Sequence, residues 1–207
     1  MDYVIGVDLD NTIVSYDALI HKVALEMGLV SEGIKKVKRH IRDAVRQVHG
    51  DEKWQEVQAV IYGQRMGEAE LIDGVERFFR LCKDNRVKVF IISHKTEFSN
   101  YFGGGSNFRK AALDWMERNN FFKEGGLAVS RADVHFESTR EGKLQRIRQL
   151  GCTHFIDDLE ETFCDRLFPE WVEKILYDPY GGQGHLDGVK VFRSWDGING
   201  HLFRSGR

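Results

Sequence analysis

VIGVDLDNT, residues 4–12, carries a short apolar run into two carboxylates, Asp8 and Asp10, separated only by Leu9. A run rich in β-branched residues reads as a strand, here Val4 to Asp8. Residues two apart on an extended chain face the same side, so both carboxylates converge at the strand's end while Leu9 faces away. The same type of run returns at Val87–Ser93, Val134–Phe136, Thr153–Asp157, Lys174–Tyr177 and Val189–Phe192. Most are apolar on both faces, the pattern of a parallel sheet covered by helices on each side. Helices fall between them. One is Val75–Lys83, with Val75, Phe78, Phe79 and Cys82 inward, and another is Phe108–Arg118, with Phe108, Ala111, Ala112, Trp115 and Met116 inward. The fold class is α/β, a doubly wound parallel sheet.

Val14 to Asp73 interrupts the alternation with consecutive helical patterns and no convincing strand. Ala18, His21, Val23, Ala24, Leu25 and Met27 mark a first helix ending near Gly28. Ser31 is placed to cap a second helix through Val48, and Asp51 a third through Ile61. The expected organisation is therefore an α/β core of residues 1–13 and 74–207, with an all-α cap of residues 14–73 inserted after the first strand.

The chain has 207 residues and is 42% apolar, enough for one sizeable core with a small appended domain. Thirty basic residues nearly balance thirty-two acidic ones, and a net charge of −2 gives no global field that would favour a nucleic-acid polymer or an anionic membrane. No apolar stretch approaches the roughly 20 residues that cross a bilayer, and the start lacks the blocks of a secretory signal, so the expected location is cytoplasmic. Cys82, Cys152 and Cys164 lie far apart and form no Cys-x-x-Cys pair, so they read as reduced thiols in or near the core.

In a doubly wound sheet, ligands bind outside the carboxyl ends of the strands, which is where Asp8 and Asp10 lie. A second acidic pair, Asp157 and Asp158, ends the run CTHFIDD. If the two strands are neighbours, three or four carboxylates crowd one crevice. At an effective dielectric of about 20, two charges about 4 Å apart repel by roughly 4 kcal/mol, so the cluster needs a cation or shifted pKa values. A hard, oxygen-bound divalent ion, Mg²⁺, fits best.

With these motifs the sequence resembles the haloacid dehalogenase superfamily of phosphohydrolases. VIGVDLDNT matches an apolar strand followed by Asp-x-Asp-x-Thr, Ser93 ends VKVFIIS, Lys143 lies in TREGKLQRI at the start of a helix, and FIDD supplies the last motif. The order is that of the superfamily, and the resemblance covers the core nearly end to end. It implies Asp8 as the nucleophile that forms an aspartyl phosphate, and Asp10 as the acid that protonates the leaving oxygen and then activates water. Asp8, the backbone carbonyl of Asp10 and Asp157 would hold Mg²⁺, with Asp158 bound through water or orienting the others. Ser93 and Lys143 would bind the phosphoryl group. Backbone N–H groups after Asp8, at Asn11 and Thr12, would complete the cradle, and His94 lines the pocket by position. Asp10 favours phosphoryl transfer over carbon–halogen cleavage, because the dehalogenases lack an acid there. Asn11 replaces a familiar Gly and tolerates the same left-handed backbone.

The resemblance also implies a lid that excludes macromolecules, and hence a small phosphorylated metabolite as partner. In the cap, Lys35, Lys38, Arg42 and Arg46 share a helical face that either grips a second anionic group or is a solvated surface, the commoner use of a basic run. YGQRMG is either a specificity loop or an interhelical turn. Lys95 and Glu97 are second-rank pocket candidates beside His94. The GGG at 103–105 and the segment DPYGGQGH at 178–185 read as loop and turn. The expected function is a Mg²⁺-dependent phosphatase for a small phosphomonoester of the sugar phosphate or nucleotide class. A phosphotransferase or phosphomutase using the same aspartyl phosphate, or a weakly active regulatory module that binds a phosphate ligand, remain the alternatives.

Overall fold

The structure is a computed structural model that describes residues 3–98, 105–181 and 187–203. In chain order its elements are β1 (Val4–Val7), β2 (Val14–Ser15), α1 (Asp17–Glu26), α2 (Lys38–His49), α3 (Asp51–Ala59), β3 (Glu70–Leu71), α4 (Val75–Asp84) and β4 (Lys88–His94). They continue with α5 (Phe108–Arg118), β5 (Val134–Glu137), α6 (Arg140–Gln149), β6 (His154–Asp157), α7 (Glu160–Cys164), β7 (Glu173–Tyr177), β8 (Val189–Phe192) and α8 (Trp195–Leu202). Gly103, Gly104 and residues 182–185, part of the loop and turn segments read above, lie outside the described residues. Among the described residues no helix is long and apolar enough to cross a membrane.

Six strands form one parallel sheet in the order β5-β4-β1-β6-β7-β8. They are the six strands read from the sequence. The chain builds outward from β1 to β4 and β5, then crosses to β6, β7 and β8, so the winding reverses at β1. That reversal leaves the loop after β1 over a crevice, the ligand position of doubly wound sheets. Ile92, Leu144, Ile147, Phe155, Phe163 and Leu176 form a buried core cluster. Phe78, Phe79 and Phe121 pack edge to face in another buried group that Trp195 joins.

Gly6 has a packing reason inside β1. It pairs in register with Phe155, and a Cβ there would meet Phe155 Cδ2 at 2.5 Å. Gly6→Ala is expected to cost about 1–3 kcal/mol through overpacking, read as a lower urea midpoint at unchanged slope.

The described chain divides into two compact units, one of Met1–Ile13, Leu71–Lys95 and Asn120–Arg207, the other of Val14–Glu70 and Thr96–Asn119. The second unit is the helical one, and it includes α5, which the sequence reading left in the core. The inward stripe of α5 is buried as expected, with Ala111 only partly so. Its partners, however, lie in the same unit: Trp115 Nε1 donates to Ala69 O at 2.8 Å, and Phe108 meets the Tyr62 ring. In α1, Leu19 and Ile20 are buried while Ala18 is exposed. The second helix starts at Lys38 rather than beside Ser31, because Asp17 Oδ1 accepts the Lys38 N–H at 2.7 Å and so caps it from 21 residues upstream. Asp51 opens α3 as expected, and the helix runs on through a π-helical turn at Val60–Gln64.

Cys82 and Cys152 are buried, and burial raises both thiols, that of Cys152 to about 12. Cys164 is exposed rather than near the core.

Helix α8 holds the core segments on either side of Val14–Glu70. Trp195 Nε1 donates to Thr12 O at 2.8 Å, and Asn199 Nδ2 donates to Gly74 O at 3.2 Å. Ile72 N–H also donates to Ile13 O at 3.0 Å, tying the two segments together.

Candidate active site

β1 lies between β4 and β6, with Val7 in register with both Ile91 and Ile156. The pairing continues one step further, as Asp8 N–H donates to Ile156 O at 2.9 Å, so Asp8 emerges beside Asp157. The two acidic pairs therefore do meet. Asp8, Asp157 and Asp158 each present an oxygen within 4.8 Å of the others. Asp8 is 5% exposed and Asp157 fully buried.

The chain turns sharply after Asp10. Asn11 takes the left-handed conformation, with φ of 60°, and Ile13 N–H returns to Leu9 O at 2.9 Å. Thr12 is buried, its hydroxyl 3.5 Å from Asp158 Oδ1 and its carbonyl held by Trp195.

Lys143 reaches the acids from the first turn of α6, whose N-cap Thr139 accepts the Gly142 N–H at 3.0 Å. A cation in a first helical turn opposes the helix dipole. Here two carboxylates offset that penalty: Lys143 Nζ donates to Asp8 Oδ1 at 2.6 Å and to Asp157 Oδ2 at 2.7 Å. Burial alone would discharge the ammonium, but Asp157 and Asp8 outweigh it and raise the lysine's pKa above its ordinary value. Asp157 uses its other oxygen to accept the Leu159 N–H at 3.0 Å.

Ser93 closes the opposite side, at the end of β4. Its hydroxyl is buried with no hydrogen-bond partner among the described residues. An orphaned hydroxyl normally takes a ligand or water. His94 is exposed and directs Nε2 to Ser138 O at 3.1 Å, so that nitrogen is committed to the protein.

Lys95 carries more of the site than its sequence context suggested. It is 4% exposed, and its Nζ lies 2.9 Å from Asp10 Oδ2. Its neighbour Glu97 is exposed and accepts from Asn107. Asp8, Asp10 and Asp157 thus contact two buried ammonium groups, Lys95 and Lys143, and Asp158 lies beside Asp8 and Asp157. Burial, together with Asp157 and Asp10, outweighs the Lys143 cation and pushes the pKa of Asp8 up to about 7. An all-oxygen donor set with surplus negative charge fits a hard divalent cation such as Mg²⁺.

Among the described residues the helical unit holds no comparable acidic cluster. Arg42 pairs with Asp43 and Arg46 with Asp51, while Lys38 lies 6.0 Å from the Tyr62 ring and Lys35 precedes the helix. Much of this basic run is therefore a solvated surface. In YGQRMG, Arg65 pairs with Glu26 and Glu68 and Met66 is buried, as in a structural turn.

Neither a protein-family model nor a curated protein sequence matches the chain. Solved structures do. A haloacid dehalogenase-like hydrolase of Streptococcus pneumoniae superposes with a TM-score of 0.63 at 13% identity, covering 98% of this chain and 99% of the other. A haloacid dehalogenase family hydrolase of Deinococcus radiodurans, solved with bound phosphate and sodium, gives 0.57 at 16% identity over 97% and 95% of the chains. A phosphatase of the same superfamily from Thermococcus onnurineus gives 0.51 at 10% identity over 98% of each. At these identities the likeness establishes the fold.

Proposed function

We propose that this chain, which has the fold of the haloacid dehalogenase superfamily, is a Mg²⁺-dependent phosphatase that hydrolyses a small phosphomonoester through an aspartyl phosphate on Asp8. The observation that carries the reading is the Asp8 carboxylate, buried, clasped by Lys143 and beside Asp157 and Asp158. The phosphate bound by the Deinococcus radiodurans relative supports the same class of ligand.

In this reading an Asp8 oxygen attacks phosphorus, the bond to the leaving oxygen breaks, and Asp10 gives that oxygen a proton. Asp10 then takes a proton from water as the water attacks the aspartyl phosphate, releasing phosphate and restoring Asp8. Lys143 neutralises the charge shared by Asp8 and the phosphoryl group. Ser93 donates to a phosphoryl oxygen, and N–H groups of the turn at Asn11 and Thr12 supply further donors. Asp8, Asp157 and the backbone carbonyl of Asp10 would hold Mg²⁺, with Asp158 beside them, and the ion offsets repulsion between carboxylate and phosphate dianion. We assign substrate selection to the helical unit and the substrate to small phosphorylated metabolites rather than nucleic-acid polymers.

The test is hydrolysis of p-nitrophenyl phosphate with and without Mg²⁺. Metal-dependent release of free phosphate is expected. Preferential transfer to an added sugar would make the chain a phosphotransferase, and Mg²⁺ binding without turnover of a broad phosphoester panel would make it a binding module.

The raised pKa of Asp8 adds a pH signature. A carboxyl that binds its proton more tightly when folded contributes stability that is complete below the unfolded value of about 4 and is lost as pH rises through about 7. A divalent ion competes with that proton. The rise in Tm produced by millimolar Mg²⁺ is therefore expected to be larger at pH 8 than at pH 5, measured by scanning calorimetry with and without the ion at each pH.

A further inference from the structure

The buried Lys95 has no part in the scheme above, and its placement is unusual for its residue type. Lysine is almost never fully buried unless paired. The chain after β4 fixes its backbone, since Lys95 N–H donates to Glu137 O at 2.8 Å, one step beyond the His94–Glu137 register. Ser93 and Lys95 are both buried while His94 between them is exposed, as expected for an extended chain that sends alternate residues to one side. The ammonium therefore lies on the same side as the orphaned Ser93 hydroxyl, 2.9 Å from Asp10 Oδ2.

Asp10 needs such a partner more than Asp8 does. Asp8 is backed by β6 and held by Lys143, whereas Asp10 lies three residues past β1, just before the turn at Asn11, its side chain 20% exposed. A carboxylate in that setting has several staggered rotamers open to it, and only one can face a given leaving oxygen. We infer that Lys95 is a positioning residue: it binds Asp10 Oδ2 and so presents Oδ1 as the oxygen that exchanges the proton with the leaving group and then with water. This rests on the phosphatase reading. The step balances as before: the P–O electron pair goes to the leaving oxygen, which takes the proton from Asp10 Oδ1. Lys95 keeps all its protons throughout.

A group that orients the general acid matters in proportion to how much the leaving oxygen needs a proton. The experiment compares p-nitrophenyl phosphate, whose leaving group departs unprotonated, with phenyl phosphate, whose leaving group is more basic, in the native protein, Lys95→Met, Lys95→Arg and Lys95→Met with Asp10→Asn. In Lys95→Met, the fall in kcat is expected to be at least about tenfold larger for phenyl phosphate than for p-nitrophenyl phosphate, within the range general acids supply, with KM nearly unchanged. Adding Asp10→Asn should cost little more, and Lys95→Arg should recover part of the split. Equal losses on both esters, or a rise in KM with weaker orthovanadate inhibition, would overturn the assignment in favour of a structural or phosphate-binding lysine. If Lys95→Met does not fold, the split between the two esters in Lys95→Arg decides. If the native protein hydrolyses neither ester, the phosphatase reading fails separately. A crystal structure of Lys95→Met then decides the positioning: an Asp10 carboxylate unmoved from its native rotamer overturns it, and a reoriented one supports it.

Discussion

Asp8→Asn is expected to abolish turnover of p-nitrophenyl phosphate, lowering kcat by about 10⁴-fold or more, the scale on which loss of a nucleophile acts. An amide oxygen forms no acyl phosphate, so the phosphoprotein that acid quenching should trap in the native protein, labile to hydroxylamine, should be missing from the variant. The fold should survive. Asp8 is held above its ordinary pKa chiefly by burial, with Asp157 and Asp10 adding to it, so replacing its carboxylate removes repulsion along with the Lys143 pair. A Tm near the native value beside full loss of activity separates chemistry from folding. Retained turnover would remove Asp8 from the nucleophile role.

Lys143→Met should damage both activity and stability. The substitution leaves Asp8 and Asp157 buried without the ammonium that now bridges them at 2.6 and 2.7 Å. Breaking a buried pair by removing one partner costs about 3–5 kcal/mol, which for a chain of this size is a fall in Tm of roughly 10 °C. Loss of one stabilising charge at the reacting group should lower kcat by about 10²–10³-fold. Two conditions should restore part of the stability. Mg²⁺ replaces positive charge at the same acids, and low pH protonates Asp8. Calorimetry of native and variant protein at pH 5 and 8, each with and without Mg²⁺, measures this. A Tm deficit indifferent to both would mean that Lys143 stabilises the chain through packing of its stem rather than through its charge.

The six strands and the four motifs were legible because each is a local signal. A β-branched run ends in an acid, a hydroxyl or a cap, and the sheet register then brings those ends together. What was not legible depends on partners distant in sequence. The stripe of Phe108, Ala112, Trp115 and Met116 announces a buried face on α5, but nothing in it says that Trp115 donates to Ala69 rather than packing on the sheet. The start of α2 was misplaced because its capping carboxylate, Asp17, is not adjacent to it. Lys95 was underrated for the same reason. A lysine after a strand reads as a solvated loop residue until β1 and β4 are known to be neighbours, which brings Asp10 within its reach.

The tryptophan that holds Thr12 O lies 183 residues further along the chain. During synthesis Asp8 and Asp10 precede α8, and the turn that follows them gains its indole donor only when α8 emerges. A nascent chain stalled after β8 has every strand of the sheet and all four motifs, with the Thr12 carbonyl still unanchored. The turn beside Asp10 is therefore completed by a contact that forms only after the last strand of the sheet has been made, a folding step separate from strand pairing.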